Sequence, residues 1–290
     1  MAAWRDRFWT SRDGLKLHYR DYDGPADQPP LLCLHGLTRN SRDFAEFAER
    51  YAGQWRVIVP DFRGRGMSER DPHPVNYAPP LYAADVLKLL DQLGIADAVF
   101  VGTSLGGLVT MLIAASDEER VAAAILNDVG PELDEAGLER IETYVGKPVL
   151  FADWEAAAAA ISAAQGVAHP GYGKADWLRF AQRVCREAAD GIEFDYDMAI
   201  ADNFHLTRGL PAIDAWPYYR ALGGRPLLIV RGALSDLLSA EVAQRMLGEI
   251  PGAELATVPN VGHAPELTEP AARAAIDRLL GKVAASAAAA

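Results

Sequence analysis

Short apolar runs alternate with amphipathic stretches along most of this 290-residue chain. Four of the runs are apolar almost throughout, as in parallel strands that are buried on both faces; they lie at residues 31–34, 57–60, 98–101 and 122–126. Stretches with helical spacing separate them, at residues 41–51, 81–93 and 105–115. This alternation predicts an α/β fold in which helices cover a mostly parallel sheet.

The same rhythm returns near the end of the chain. Residues 227–231 and 254–258 read as strands, with a helix between them at 240–248 and a last helix from about residue 269 to 280. A strand at 15–22 near the start would run antiparallel. Residues 131–221 break the rhythm because they contain helical segments and no clear buried strand. We therefore predict a core formed by residues 1–130 and 222–290, with a helical subdomain inserted at 131–221.

Charge and composition exclude several classes of protein. The 40 acidic residues outnumber the 28 basic ones and give a net charge of -12, which would repel nucleic acid. No apolar run reaches the ~18 residues of a membrane span, and the first ten residues lack the apolar core of a signal peptide. Two cysteines, Cys33 and Cys185, are too few for a disulfide framework or a clustered zinc site. We expect a cytoplasmic protein with neither metal nor cofactor.

The most informative motif is G-x-S-x-G at residues 102–106, between the strand at 98–101 and the helix at 105–115. A serine at such a tight strand-to-helix turn has a strained backbone, and the glycines two positions away leave room for it. The amino terminus of the helix also brings backbone N–H groups beside any oxyanion that forms. The motif favours Ser104 as a nucleophile; a helix-capping serine in a glycine-rich turn is the alternative.

A serine nucleophile needs a base and a group that orients the base. His263 follows the last predicted strand, and Asp236 follows the strand before it, so both lie at the carboxyl edge of the sheet, where ligands collect in open α/β folds. The order Ser, Asp, His is that of the nucleophile-elbow hydrolases. Asp128, after the strand at 122–126, is an alternative acid; we favour Asp236.

The segment His35-Gly36-Leu37 follows the strand at 31–34. Its turn would direct the backbone N–H of Leu37 into the site, and the N–H of Leu105 would supply a second donor to an oxyanion. His35 itself has a structural role in this prediction, holding the turn by hydrogen bonds.

Taken together, these motifs give the chain a specific resemblance to the α/β-hydrolase superfamily. The matching segments are residues 35–36, 61–68, 102–107, 232–236 and 262–263. The resemblance implies an eight-stranded, mostly parallel sheet flanked by helices, with a helical cap inserted after the sixth strand. It also implies Ser104 as nucleophile, His263 as base and Asp236 as acid.

A cap over the carboxyl edge implies a pocket that excludes water. Candidate wall residues are Trp154, Phe204, His205 and Trp216, although aromatic residues at helical spacing commonly pack within a core. The cap arginines Arg179, Arg183 and Arg186 could receive a carboxylate or form a solvated helix face. In the two motif segments nearest the site, residues 37–40 and 105–108, only Arg39 is cationic, and we expect it to point outward.

The leading hypothesis is a serine esterase that acts on a small or medium carboxylic ester through an acyl-enzyme. A carbon-carbon bond hydrolase of ring-cleavage products, or a lactonase, would resemble the same family and use the same three residues. A perhydrolase is a weaker variant, and a ligand receptor on a hydrolase scaffold is the non-enzyme alternative. We expect a small-molecule substrate and no nucleic-acid or membrane partner, and a homodimer is left open.

Overall fold

The computed structural model describes residues 3–203 and 213–287. Eight of its strands form the main sheet: β1 (Trp4–Thr10), β2 (Lys16–Tyr22), β3 (Leu31–Leu34), β4 (Val57–Pro60), β5 (Ala98–Thr103), β6 (Val121–Asn127), β10 (Leu227–Gly232) and β11 (Glu254–Val258). Three shorter strands, β7 (Leu150–Phe151), β8 (Cys185–Ala188) and β9 (Gly191–Phe194), lie in the segment between β6 and β10. The strands predicted from apolar runs are all present.

The main sheet has the strand order β1-β2-β4-β3-β5-β6-β10-β11. β2 pairs antiparallel with β1 and β4, and every other neighbouring pair is parallel. Successive residues of a central strand point to opposite faces, so Leu32 and Leu34 contact one hydrophobic core while Leu31 and Cys33 contact another. Both faces are therefore buried, as the apolar runs predict.

Helices cover both faces of this sheet. The α-helices of the described residues are α1 (Ala45–Tyr51), α2 (Pro79–Leu93), α3 (Leu105–Ser116), α4 (Glu135–Glu142), α5 (Trp154–Gln165), α6 (Lys174–Val184), α7 (Trp216–Arg220), α8 (Ala240–Glu249) and α9 (Pro270–Ala287). α2 and α3 pack on one face, through residues such as Val86 and Val109, and α1 and α9 pack on the other, through Phe47 and Ile276. This is the α/β-hydrolase fold expected from the sequence.

The segment at residues 131–221 differs from the all-helical prediction. It contains α4 to α7, but β7, β9 and β8 also form a small antiparallel sheet in that order. Each of these strands has only two to four residues. A hydrophobic cluster that includes Ile161, Trp177 and Phe180 joins α5 and α6 to this sheet. The inserted segment therefore has a core of its own.

Among the helices of residues 3–203 and 213–287, none combines the length and the apolar character that crossing a membrane requires.

Candidate active site

Ser104 lies at the turn between β5 and α3. Its backbone has φ 53° and ψ −118°, a conformation that is rare for a residue other than glycine. The turn is so tight that a Cβ at position 102 would lie 2.5 Å from the carbonyl oxygen of Gly106. A Cβ at position 106 would lie 2.0 Å from the carbonyl oxygen of Leu34. The two glycines of the motif are therefore required by backbone packing, as the sequence predicts.

A continuous chain of hydrogen bonds joins Ser104, His263 and Asp128. The Oγ of Ser104 lies 3.0 Å from Nε2 of His263, and Nδ1 of His263 lies 2.8 Å from Oδ2 of Asp128. Because a carboxylate only accepts, Nδ1 carries the hydrogen, and Nε2 is left with the lone pair that accepts the serine hydroxyl. The arrangement gives Ser104 a base that is already oriented for proton transfer.

Asp128 directly follows β6, with a positive φ of 56°, and its side chain is fully buried. The backbone N–H of Gly232 donates to Oδ1 at 2.8 Å, and the Ser235 hydroxyl donates to Oδ2 at 2.6 Å. With His263, these donors compensate for the loss of water around a buried carboxylate. Asp128 therefore remains available as a fixed acceptor for the imidazole.

Asp236, the acid that the sequence favours, does not contact His263. Its carboxylate instead forms a two-point ion pair with the guanidinium of Arg140 on α4, and about a third of its side chain is exposed. Partial burial acts to raise the pKa of Asp236, but the hydrogen bonds and charge of Arg140 outweigh it and hold that pKa below its usual value. The prediction of Asp236 as the partner of His263 is therefore wrong in this structure, and the alternative, Asp128, takes the position.

Two backbone N–H groups are available beside Ser104. In the part of the chain that the structure describes, the N–H groups of Leu37 and Leu105 donate to no acceptor. His35 holds the peptide of Leu37: its Nε2 accepts the N–H of Phe62 at 3.1 Å, so its Nδ1 donates to the carbonyl of Gly36 at 2.8 Å. Fixing that carbonyl also fixes the opposite end of the same peptide, the N–H of Leu37. The pair is suited to stabilise an oxyanion.

A model of the alpha/beta hydrolase family matches residues 31–276. The chain is 36% identical, over 267 residues, to the 3-hydroxybutyrate-oligomer hydrolase of Cupriavidus necator. The alignment covers 88% of this chain and 89% of that protein. The chain belongs to the α/β-hydrolase family. A crystal structure of an α/β hydrolase from Novosphingobium aromaticivorans has a TM-score of 0.93 and 51% identity, and the match covers 97% of this chain and 99% of that one. The chain is also 29% identical, over 248 residues, to the 2-(acetamidomethylene)succinate hydrolase of Mesorhizobium japonicum, covering 83% and 85% of the two chains.

Two compartments of this α/β hydrolase meet at Ser104. The first, of about 80 Å³, is lined by several charged side chains, and we call it the polar compartment; the second, of about 220 Å³, has no charged side chain among the described residues of its wall, and we call it the apolar compartment. His263 lines the polar compartment together with the charged or polar side chains of Arg39, Asp43, Tyr144, His169, Arg183 and Glu266. The apolar compartment is lined mainly by Leu37, Leu105, Leu108, Leu133, Leu138, Ile141 and Leu237. A substrate that reaches Ser104 therefore meets two different chemical environments.

The polar compartment contradicts one expectation from the sequence. Arg39 lines the cavity and does not point outward, since its guanidinium lies over the ring of Phe180, with Cζ 4.1 Å from the ring centroid. Of the three cap arginines considered, Arg183 lines this cavity, whereas Arg179 and Arg186 lie at the surface and pair with Asp176 and Glu193. One feature of the sequence does indicate that Arg39 lies near the site: it follows Leu37 by two residues, on the loop that approaches Ser104.

Of the aromatic wall residues predicted from the sequence, the two in the described part of the chain, Trp154 and Trp216, line neither compartment. Trp154 packs against the core shared by α5 and α6, and Trp216 is buried against the main core, where its indole N–H donates to Glu132. Both belong to cores because their rings fill space between helices. Phe204 and His205 lie outside the described residues. Phe180, which belongs to no sequence motif, forms part of the wall of the polar compartment instead.

Within residues 3–203 and 213–287, no group of three or more His, Cys, Asp or Glu side chains is arranged to hold a metal ion.

Proposed function

We propose that this α/β hydrolase is a serine esterase that cleaves carboxylic esters through an acyl-enzyme intermediate. The observation that carries the proposal is the hydrogen-bond chain from Ser104 through His263 to Asp128, with distances of 3.0 and 2.8 Å. A serine hydroxyl is a poor nucleophile at neutral pH unless a base removes its proton as it attacks. Here the base and the acid that orients it are both in hydrogen-bond contact before any substrate binds.

The reaction follows from these contacts. Ser104 Oγ attacks the ester carbonyl while His263 Nε2 accepts its proton, and Asp128 stabilises the imidazolium that results. The N–H groups of Leu37 and Leu105 donate to the oxyanion of the tetrahedral intermediate. His263 then gives the proton to the leaving alkoxide, and the acyl carbon–oxygen bond breaks. Water, deprotonated by His263, attacks the acyl-enzyme by the same route and releases the acid.

The named relatives support hydrolysis and favour an acidic substrate. The C. necator relative acts on 3-hydroxybutyrate oligomers, which contain ester bonds and end in a carboxylate. The M. japonicum relative acts on a substituted succinate, which is also a carboxylate. For this chain we propose a small or medium ester as substrate.

Carbon-carbon bond hydrolysis is the second candidate, because Arg39 lines the cavity beside Ser104. A ring-cleavage product such as a 2-hydroxy-6-oxo-dienoate requires a cation for its carboxylate, and Arg39 could supply one. The two activities are separated by comparing kcat/KM for a p-nitrophenyl butyrate ester and for the dienoate. We expect the ester to be the better substrate; a dienoate constant well above the ester constant would establish the second candidate.

Covalent labelling tests whether the protein is a serine hydrolase at all. Treatment with a fluorophosphonate should give one adduct, which mass spectrometry places on the peptide that contains residues 102–107. Ser104→Ala should abolish labelling and lower ester turnover by several orders of magnitude. Ser162→Ala, on α5, is the matched control and should retain both the labelling and the ester turnover of the wild-type protein. Absence of any adduct on Ser104 would support a ligand receptor built on a hydrolase scaffold.

A further inference from the structure

We propose that the two compartments at Ser104 bind opposite halves of the ester, and that Arg39 and Arg183 bind a carboxylate on the leaving alcohol. The preferred substrates are then esters whose alcohol part is a hydroxy acid with a free carboxylate. This inference rests on the proposed esterase function and goes beyond it by naming which half of the substrate bears the charge.

The position of His263 indicates which compartment binds the alcohol part of the ester and which binds the acyl part. Its Nε2 must reach the leaving oxygen in order to protonate it, so the alcohol part extends from Ser104 on the side of the imidazole. Among the described residues, His263 lines the polar compartment and not the apolar one. Leu105 and Leu108, at the start of α3, line the apolar compartment only. The alcohol part therefore enters the polar compartment, and the acyl part enters the apolar one.

Arg39 is oriented for a carboxylate. Its Nε donates to Oδ2 of Asp43 at 2.7 Å, and the guanidinium plane is supported by the buried ring of Phe180. Its two terminal nitrogens donate to no acceptor in the described part of the chain. A guanidinium held along one edge presents the other edge for a two-point contact with a carboxylate.

Arg183 supplies a second cation to the same compartment. It forms an ion pair with Glu266, its Cζ lies 5.5 Å from the centroid of the same Phe180 ring, and only 15% of its side chain is exposed. Its Nε is buried and has no hydrogen-bond partner among the described residues. Both arginines thus line the compartment where the leaving group must lie, and the terminal nitrogens of Arg39 have no acceptor among the described residues.

The charges already present in the polar compartment limit how strongly it prefers a substrate with a carboxylate. Asp43 and Glu266 already neutralise the two arginines, and His169, whose pKa is lowered to about 4 by burial, is uncharged near pH 7. A substrate carboxylate therefore gains charge-assisted hydrogen bonds but no large net attraction. We expect a preference of about tenfold in kcat/KM, typical of charge-assisted bonds at a partly exposed site.

An oligomeric hydroxy acid ester would then bind with its terminal unit in the polar compartment and its longer acyl part in the apolar one. Cleavage in this register releases one terminal hydroxy acid at a time.

Three synthetic esters test the assignment with the full-length protein. In 3-(butyryloxy)butanoate the carboxylate is on the alcohol part; in 3-(butyryloxy)butanamide the same position is neutral; in monoethyl glutarate the carboxylate is on the acyl part. The wild-type protein should hydrolyse the first about tenfold better than the second, mainly through KM, since the contact forms on binding. Monoethyl glutarate should be the poorest of the three. A preference for it would overturn the assignment of the halves.

Variants of the two arginines test whether they bind the substrate carboxylate. In Arg39→Gln and in Arg183→Gln, the ratio of kcat/KM between the butanoate and the butanamide should fall toward one. Arg179→Gln removes a largely exposed arginine from the same helix as Arg183 and should retain the wild-type ratio.

The failure of this inference is distinguishable from the failure of the proposed function. If the wild-type protein hydrolyses all three esters through Ser104 without a preference for the butanoate, the carboxylate assignment is wrong and the esterase proposal stands. If Ser104→Ala hydrolyses the butanamide as fast as the wild-type protein does, the esterase proposal itself is wrong. Because the first ratio is measured on the wild-type protein, the test does not depend on the variants folding.

Discussion

His263 Nδ1 lies 2.8 Å from Oδ2 of Asp128, a residue that directly follows β6. The rival carboxylate, Asp236, lies four residues beyond the end of β10 and is held by Arg140. Two acids at the same edge of one sheet thus have different partners. The difference arises from the chain around them, since Asp128 is fixed by Gly232 and Ser235 from the neighbouring strand and loop.

Replacing each acid by its amide should separate the two roles. Asp128→Asn should lower kcat by about 10⁴, because an amide favours the wrong imidazole tautomer and cannot stabilise the imidazolium. Asparagine accepts a positive φ readily, so the backbone at position 128 should be retained. Asp236→Asn should lower kcat by less than about tenfold, since it breaks only the partly exposed pair with Arg140. Steady-state kinetics on a p-nitrophenyl ester, with circular dichroism to confirm folding, gives the ranking, and the reverse order would make Asp236 the functional acid.

Ser235 should act as a positioning residue for Asp128. Its hydroxyl donates to Oδ2 of Asp128 and accepts the N–H groups of Leu237 and Leu238. Ser235→Ala should lower kcat by about tenfold and the free energy of unfolding by about 1–3 kcal/mol, since buried groups lose partners. Ser235→Thr keeps a hydroxyl and should recover most of the turnover. Ser239→Ala, which removes the cap of α8, is the control: it should lower stability by ~1 kcal/mol and leave kcat unchanged.

The central strands and helices were predictable from sequence because their side chains are buried on both faces or on one helical face. β3 and β4 match their predicted bounds, and β5 and β6 differ from theirs by one or two residues at an end. β1 was missed because it is an edge strand whose exposed positions carry Arg5, Asp6 and Arg7. The small sheet at residues 150–194 was missed because its strands are short and only partly buried.

The positions of Ser104 and His263 were predictable because each follows a strand in a short, glycine-bearing turn. The choice between two acids was not, because it depends on Arg140, 96 residues away along the chain, which pairs with Asp236. The direction of Arg39 was also unpredictable, since it depends on Phe180 of α6 being packed beside it. Both errors concern contacts between the core and the inserted segment, where no local sequence pattern fixes the geometry.

Stability should fall as the pH decreases from about 6.5 toward 4, partly because of His35. Burial lowers the pKa of His35 from 6.5 to about 4. The unfolded chain therefore takes up a proton as the pH falls through 6.5, whereas the folded protein does so only near 4. The stabilisation is complete above pH 6.5 and is lost progressively below it, by at most about 3 kcal/mol. Urea unfolding between pH 7 and 4.5 measures this loss.

The His35→Asn variant isolates that contribution. It should be less stable than the wild-type protein at pH 7, because the contacts to Phe62 and Gly36 are weakened, and its stability should depend less steeply on pH. His73→Asn replaces an exposed histidine and should retain the wild-type slope. Equal slopes for wild type and His35→Asn would show that other groups, such as buried carboxylates, cause the acid sensitivity.

Arg63 should be the largest single electrostatic contributor to the stability of the loop at residues 61–68. Its fully buried guanidinium pairs with Asp85 through two nitrogens, and also with Asp71 and Asp13. Arg63→Met keeps most of the volume but leaves Asp71 and Asp85 buried without their cation. We expect a loss of about 3–5 kcal/mol at pH 7, as for other buried pairs from which one partner is removed. The deficit relative to wild type should shrink toward pH 4.5, because the unpaired carboxyls would have raised pKa values and would bind protons in the folded state.

Arg179→Met, which breaks an exposed pair with Asp176, is the control and should cost less than about 1 kcal/mol at either pH. Guanidinium unfolding of the three proteins at both pH values measures these differences, and a deficit in Arg63→Met that grows on acidification would show that the buried carboxyls are not the cause.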